Sequence, residues 1–143
     1  QSSAYNIGGI VGEIRTNTTT AVKNCFNAGN ITAGDVRMGG IFPGFLHNSY
    51  DNLKFENCYN SGKLMAGDTD YSNVNAMYNW DAGVDGTQLI NCYYLTSGTT
   101  VGKSGTTGLT DAQMKNRDRF TGFDFDTVWT MHSEGNYFYP ILR

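Results

Sequence analysis

The chain has 143 residues, with 10 basic and 13 acidic side chains and a net charge of -3. This is the length of one domain, and the few, scattered charges give no basic surface for nucleic acid or an anionic membrane. No run approaches the ~20 apolar residues of a membrane span, so we expect no nucleic-acid partner and no membrane insertion. Because the chain opens on "QSSAYNIGGIVG", without an initiator Met or a secretory leader, we expect a part of a longer protein.

A repeat organises most of the chain. The stretch "VKNCFNAGNI" (residues 22–31) returns as "FENCYNSGKL" (55–64) and, shortened, as "LINCYYLTSG" (89–98). Ahead of these copies stand "GGIVG" (8–12), "GGIFPG" (39–44) and a decayed equivalent, "AMYNWDAG" (76–83). A period near 33 also fits helical ankyrin and tetratricopeptide repeats. Short β-branched and aromatic runs between glycines, without helical apolar spacing, favour strands instead, the first in each unit being the glycine-flanked segment.

Strands that recur at a constant period stack most economically when each lies parallel to its equivalent one repeat later. The sequence therefore predicts an all-β fold, a parallel β-helix or β-solenoid of about three coils with three short strands each. The solenoid is expected over residues 1–108, with coils at about 5–36, 37–70 and 71–104. Equivalent residues should lie ~4.8 Å apart. The predicted columns are Val22, Phe55 and Leu89; Cys25, Cys58 and Cys92; Asn24, Asn57 and Asn91; and Ile10 with Ile41. Asn is expected at a bend, because it tolerates a left-handed backbone and can hydrogen-bond along the column.

Residues 109–143 follow a different pattern, which predicts a C-terminal cap within the same domain. Thr110 and Gln113 can form a capping box, so a short helix is expected over about residues 111–119. The segments "DTVWTM" and "YFYPIL" then flank the turn-like "HSEGN", which predicts a terminal hairpin with Pro140 on an edge strand. The first coil has no such cap, so its face is left bare for a neighbouring domain or for self-association.

These motifs resemble a known family. "GGIVG" followed by "VKNCFNAGNITAG", and "GGIFPG" followed by "FENCYNSGKLMAG", are similar to the GLUG motif, a short repeat of large bacterial surface proteins, some of them related to immunoglobulin A peptidases of the M26 type. The C-terminal "GLTDAQMKNRDRFTGFDFDTVWTM" is similar to the segment that often closes such arrays. The resemblance implies an extracellular or bacterial cell-surface location and a solenoid of strands. It does not imply peptidase activity, because the signature His-Glu-x-x-His is absent. The third repeat departs from the motif, since it lacks both the glycine pair and the Asn-x-Gly.

Candidate catalytic residues are few. His47 and His132 fall in predicted loops, without a partner spaced for proton transfer or metal binding. The three cysteines occupy equivalent repeat positions, so core packing explains all of them and catalysis would explain only one. We expect a ladder of free, buried thiols. A disulfide between neighbours is the alternative, because stacked Cα atoms fall within bridging distance.

Acidic residues cluster in two predicted loops, "GDTDYSN" and "NWDAGVDG". Carboxylates in carbonyl-rich turns suit calcium, but neither loop matches the EF-hand or the calcium-binding nonapeptide. Solvated loop acids are therefore favoured and no cofactor is expected, with calcium as the alternative. The calcium candidates are Asp68, Asp70, Asp81 and Asp85. Bound calcium would support a different function, a carbohydrate-active β-helix enzyme.

The best binding-site hypothesis is a group of aromatic residues concentrated in the long predicted loops of repeats two and three, because Tyr and Trp stack on sugar rings and anchor interfaces. Its members are Tyr50, Tyr71, Tyr78, Trp80, Tyr93 and Tyr94. We therefore predict a non-enzymatic extracellular module of a larger bacterial surface protein, acting in adhesion or in ligand presentation to glycan or host protein. Neighbouring domains of the parent protein are the other expected partners. A purely structural stalk segment is a further alternative.

Overall fold

The chain folds into a parallel β-solenoid that is closed at its C-terminal end. The structure is a computed structural model, and it describes residues 5–12, 20–34, 36–44, 53–66, 74–77, 88–98, 102 and 105–143. Strands predominate in these ranges, with one short α-helix and one 3-10 helix near the C-terminus. The predicted all-β solenoid is therefore confirmed.

Each coil is built from short strands. The first coil contains β1 (Tyr5–Gly8), β2 (Thr20–Lys23), β3 (Phe26–Asn27) and β4 (Ile31–Ala33). The second contains β5 (Val36–Gly39), β6 (Leu53–Glu56), β7 (Tyr59–Asn60) and β8 (Leu64–Ala66). The third contains β9 (Val74–Asn75), β10 (Gln88–Ile90) and β11 (Cys92–Leu95), and β12 (Thr106–Leu109) follows. The first two coils thus have four strands each, where the sequence predicted three.

Equivalent strands stack in parallel to form four sheets. Sheet A has the order β1-β5-β9, sheet B β2-β6-β10, sheet C β3-β7-β11-β12 and sheet D β4-β8. The register of sheet B pairs Val22 with Phe55 and Phe55 with Leu89. Sheet C likewise pairs Phe26 with Tyr59. Residues aligned by the repeat are therefore hydrogen-bonded neighbours up the stack.

The predicted strands at the glycine pairs are wrong. β1 ends at Gly8 and β5 at Gly39, and residues 9–12 and 40–44 form no strand, apart from one bridge position. In the third repeat, β9 comes just before the predicted segment at residues 76–83, because Asn75 pairs with Gly39. The physical reason is that the glycines accept close backbone contacts at the strand ends, which no side chain would allow.

The interior of the solenoid is a narrow apolar column. Phe55, Cys58 and Ile41 have no exposed surface, and Leu53 and Cys92 are almost as deeply buried. These side chains belong to one cluster, which packs sheet B and the two buried cysteines against the segments that follow β5 and β9. Such a column suits a chain with 39% hydrophobic residues, because stacking lets every coil share its buried faces with the next.

A cap covers the C-terminal end. Helix α1 (Asp111–Met114) begins with the predicted capping box at Thr110 and Gln113. It is shorter than predicted, because the Asn116 side chain accepts a hydrogen bond from the Asp118 amide and starts a separate 3-10 helix, Arg117–Arg119. Strands β13 (Trp129–Met131) and β14 (Pro140–Leu142) then form the antiparallel hairpin.

The cap is fastened by aromatic packing. Trp129 is fully buried, and its ring centroid lies 4.5 Å from that of Phe123. Tyr59 of sheet C stacks on Phe26 with centroids 5.3 Å apart and meets the edge of Phe120 at 5.8 Å. The solenoid and its cap therefore share one aromatic cluster.

Candidate binding site at the loop corner

The connections from sheet A to sheet B span residues 9–19, 40–52 and 76–87 of the sequence, and we call them the loop corner. The structure describes their first residues and the strands that they join. Their starts are adjacent, because Gly8 pairs with Gly39 and Gly39 with Asn75. Their ends are adjacent too, because β2, β6 and β10 lie side by side. Loops that are distant in sequence are therefore anchored on neighbouring rungs, the arrangement in which repeat proteins build binding surfaces.

Backbone hydrogen bonds hold the bases of these loops. The amides of Ile41 and Phe42 both donate to the Met77 carbonyl at 3.0 Å. One coil earlier, the amides of Ile10 and Val11 donate to the Ile41 carbonyl at 3.1 and 3.0 Å. Ile41, Phe42 and Met77 are also buried. The second and third loops therefore begin at buried apolar residues whose backbone is hydrogen-bonded.

The glycine pairs at this corner make room for a second asparagine column inside the coil. A methyl group on Gly40 would lie 2.0 Å from the Ala76 carbonyl oxygen and 2.4 Å from Cγ of Asn60. In the first coil, a methyl group on Gly9 would lie 2.7 Å from Cγ of Asn27. Asn27 Nδ2 donates to Asn60 Oδ1 at 2.8 Å, and Asn60 Nδ2 donates to the next glycine carbonyl. The glycine pair and the Asn-x-Gly motif are thus two halves of one contact.

The third repeat loses both halves together. Asn75 pairs with Gly39, so Ala76 follows at the place of Gly40. Tyr94 pairs with Asn60 and takes its place in sheet C. With no asparagine to accommodate, a methyl group is tolerated at residue 76. The two departures from the motif therefore have one structural cause, and their coincidence in the sequence was the signal that could have revealed this contact.

The asparagines before each cysteine form the bend of every coil. Asn24, Asn57 and Asn91 have φ values of 51°, 54° and 52°, in the left-handed region that Asn tolerates. Asn91 Nδ2 donates to Asn57 Oδ1 at 3.1 Å, and Asn57 Nδ2 donates to Asn24 Oδ1 at 3.4 Å. Gly122 of the cap closes the end of this column, because a methyl group there would lie 1.9 Å from Asn91 Nδ2.

The cysteines next to this bend are free thiols. Cys58 and Cys92 are buried and Cys25 is half-buried, and Cys25 Sγ donates to the Lys23 carbonyl at 3.1 Å. Burial raises the pKa of Cys25, and a hydrogen bond with Cys92 together with burial raises the pKa of Cys58. The same hydrogen bond with Cys58 lowers the pKa of Cys92. Protonated thiols are weak nucleophiles, so Cys25 and Cys58 act as packing at neutral pH.

The aromatic candidates divide into two groups. Tyr50, Tyr71, Tyr78 and Trp80 lie outside the described residues, although Tyr50, Tyr78 and Trp80 belong by sequence to the loop corner. Tyr93 is only 6% exposed; its ring packs 5.2 Å from Phe120 and its hydroxyl donates to the Thr121 carbonyl at 3.1 Å. The ring of Tyr94 lies against Gly102 and Gly108 and is half-exposed. Tyr93 thus offers no free ring face, whereas Tyr94 does in part.

The metal hypothesis rests on residues outside the described ranges, because Asp68, Asp70, Asp81 and Asp85 all fall there. Within the residues that are described, no group of three or more His, Cys, Asp or Glu side chains could hold a metal ion. His132 is engaged structurally, since its Nδ1 lies 2.7 Å from the Tyr137 carbonyl oxygen.

Sequence reasoning missed the role of Tyr59 at the joint between solenoid and cap. Its hydroxyl donates to the Pro140 carbonyl and lies 2.5 Å from the Tyr137 hydroxyl, which in turn lies 3.2 Å from Ser61 Oγ. Burial and the neighbouring Tyr137 raise the pKa of Tyr59. No local pattern signals these contacts, because they join residues 78 and 81 positions apart.

These features define a capped parallel β-solenoid, and a structural comparison agrees with that class. The fold is similar to a crystal structure described as a "putative immunoglobulin A1 protease" from Bacteroides ovatus, with a TM-score of 0.63 and 16% sequence identity. The match covers 98% of this chain and 53% of that structure, so the chain spans about half of its length. No family model and no curated protein matches the sequence. Among the described helices, none is long and apolar enough to cross a membrane.

Proposed function

We propose that the chain is a non-enzymatic, extracellular solenoid module of a larger bacterial surface protein, and that it presents the loop corner to a glycan or host-protein ligand. The observation that carries the proposal is the anchoring of three long connections on adjacent rungs of sheets A and B. The rungs below repeat, while the loops above them differ in sequence. Variable loops on a regular scaffold are the usual location of recognition in repeat proteins.

The polar groups of the stacked coils support a binding site in the loops and not on the coils themselves. The amides of Asn27 and Asn60 are used within the stack, and those of Asn57 and Asn91 are used along the bend. The Tyr59 hydroxyl is used at the cap. Since these groups already have partners, recognition falls to the loops, where Tyr50, Tyr78 and Trp80 supply aromatic surface for sugar or protein contacts.

The resemblance to GLUG-motif repeats supports a bacterial surface location, because such repeats belong to large surface proteins. The solved structure of similar fold has a name that mentions immunoglobulin A1 protease. At 16% identity that name does not extend to this chain, and the sequence lacks the His-Glu-x-x-His signature of those peptidases. We therefore assign binding and not proteolysis to this module.

The test is a glycan array together with a mucin pull-down. The double variant Tyr78→Ala, Trp80→Ala should lose at least ~10-fold in binding, as expected when stacked aromatic anchors are removed. The matched control is Phe138→Ala, which removes an exposed aromatic ring from the cap, 40% exposed and remote in sequence from the loop corner. Wild-type binding by the double variant would contradict the aromatic site.

Two outcomes would favour the alternatives. If the wild-type chain binds no glycan, mucin or host protein at all, the result supports a purely structural stalk segment and contradicts ligand presentation. If it releases reducing ends from polysaccharides in a calcium-dependent way, the chain is a carbohydrate-active enzyme, and the loop carboxylates at Asp81 and Asp85 become the first residues to replace.

A further inference from the structure

The outward edge of the first coil is an apolar surface, which we call the open face (Ile7, Val22, Cys25, Phe26 and Ile31). All five side chains are half-buried. Their equivalents one coil later are Met38, Phe55, Cys58 and Tyr59, each with no exposed surface, and Leu64, which is 5% exposed. The same columns that are sealed within the solenoid therefore reach solvent at this end.

The backbone is open on the same side. In the sheet orders, β1, β2, β3 and β4 are all edge strands, whereas β5, β6 and β7 each lie between two neighbours. The edge strands contain no proline, and their one lysine, Lys23, is paired with Glu56 at 2.6 Å. These strands therefore lack proline and an unpaired lysine, two of the devices that protect an exposed edge, although they are short.

The asparagine bend has a direction that continues past the first coil. Each amide donates from Nδ2 to Oδ1 of the coil before it, from Asn91 to Asn57 and from Asn57 to Asn24. Within the described part of the chain, Asn24 accepts through Oδ1, and no acceptor is present for its Nδ2. A preceding coil with asparagine at its own bend would supply that acceptor.

We propose that the open face is a stacking surface for one more β-coil of the same four-strand outline, which lies N-terminal to β1 in the parent polypeptide. This inference rests on one part of the proposed function, namely that the chain is a module of a longer protein. This added coil has an asparagine bend at the position that stacks on Asn24. It has apolar side chains at the positions that stack on Val22 and Phe26. Its interface continues the one between the first and second coils, with the same parallel register.

Geometry favours this occupant over a second copy of the chain. Parallel stacking on the open face requires the C-terminal end of a solenoid, and in this molecule that end is covered by the cap. Two open faces related by a two-fold axis would present mirror-related outlines to each other, so the parallel register could not be kept at every strand. Such a pair cannot satisfy four edge strands at once, whereas a translated coil satisfies all of them.

The experiment adds the missing coil to the full chain. A copy of residues 5–35 is joined ahead of residue 5, with Cys25→Ala in the added copy so that labelling reports only on the native Cys25. Iodoacetamide labelling under native conditions is then followed by peptide mass spectrometry. We expect the labelling rate of native Cys25 to fall at least ~10-fold toward that of Cys58, because sealing the column suppresses local opening.

The matched control is the same extension with Val22→Lys and Phe26→Lys in the added copy, which should leave Cys25 as reactive as in the 143-residue chain. A second version with a flexible Gly-Ser linker ensures that the added coil does not disturb the folding of the native chain. The proposal is overturned if Cys25 is protected neither by the direct extension nor by its Gly-Ser-linked version. It is overturned equally if the extension with Val22→Lys and Phe26→Lys protects Cys25 as well as the extension without them, or if protease removes the added coil from a folded chain. It is also overturned if the 143-residue chain sediments as a dimer that protects Cys25 by itself. Ligand binding is not measured here, so failure of the proposed function would be seen separately.

Discussion

Replacing Gly40 by alanine probes the contact that joins the two halves of the repeat motif. The new methyl group would lie 2.0 Å from the Ala76 carbonyl oxygen, which belongs to the backbone of the next coil and cannot rotate away. It would also lie 2.4 Å from Cγ of Asn60. Neighbouring coils must therefore separate locally, and the Gly40 amide, which donates to the Asn75 carbonyl at 3.2 Å, must move with them.

The size of the effect follows from these contacts. Forced overpacking costs about 1–3 kcal/mol, and each hydrogen bond weakened by the separation costs about 1 kcal/mol. We therefore expect Gly40→Ala to lower the free energy of unfolding by about 3 kcal/mol. For a domain of this size, that corresponds to a fall of about 10 °C in Tm. Urea unfolding followed by circular dichroism and by tryptophan fluorescence measures the free energy of unfolding, and a thermal melt followed by circular dichroism measures Tm.

The matched control is Gly12→Ala, because a methyl group at this exposed glycine has no atom of the described residues within 4 Å. Its expected effect is within ~0.5 kcal/mol of the wild type. The double variant Gly40→Ala, Asn60→Ala should be less destabilised than the sum of the single variants, by about 1 kcal/mol, since one of the two clashes is removed. If Gly40→Ala is as stable as Gly12→Ala, the packing argument is refuted.

Three further predictions concern the columns and the cap. Native alkylation should modify Cys25 first, because Cys58 and Cys92 are buried, and alkylation after denaturation should add three labels; a two-dalton deficit in the intact mass would instead reveal a disulfide. Tyr59→Phe should lower the free energy of unfolding by about 1–3 kcal/mol, because a buried hairpin carbonyl loses its donor; unchanged stability in urea would show that this hydroxyl does not fasten the cap. Asp111 has a pKa held below its usual 3.8, chiefly by a hydrogen bond from Lys115. The ionised carboxylate therefore contributes to the stability of the folded state above pH 3.8, and this contribution is lost as the pH falls through the lower folded pKa. Asp111→Asn should therefore make the loss of Tm between about pH 5 and pH 2 shallower, and an identical pH profile for the two proteins would count against this linkage.

The repeat allowed the fold class to be predicted, because an in-register solenoid imposes the same environment on equivalent residues. A position that must adopt a left-handed backbone does so in every coil, which is why asparagine recurs at residues 24, 57 and 91. Local patterns also located the capping box at Thr110, since its two hydrogen bonds join residues three positions apart. Both signals depend on short-range geometry, which sequence spacing records directly.

Other features depend on contacts that spacing does not record. The packing of Gly40 against Asn60 joins the end of sheet A to sheet C, and it can be inferred only once the coil is closed. Helix α1 ends early because of one side-chain hydrogen bond, from the Asp118 amide to Asn116. The aromatic residues of the loop corner follow no period, because loops need not repeat, so their sequence indicates composition and not arrangement.

The exchange of asparagine for Tyr94 in the third coil has a consequence for the length of such solenoids. As long as the glycine pair and the inner asparagine are both present, one coil is a template for the next and nothing in the stack specifies an end. The third coil can stack on the second coil, but its other face cannot serve as the template for a further coil of the same kind. It still accepts the second coil through sheets A, B and C, while Tyr94 lies over Gly102 and Gly108, next to the strand that leads into the cap. It is an adaptor whose two faces differ, and its altered motif marks in the sequence where repetition stops.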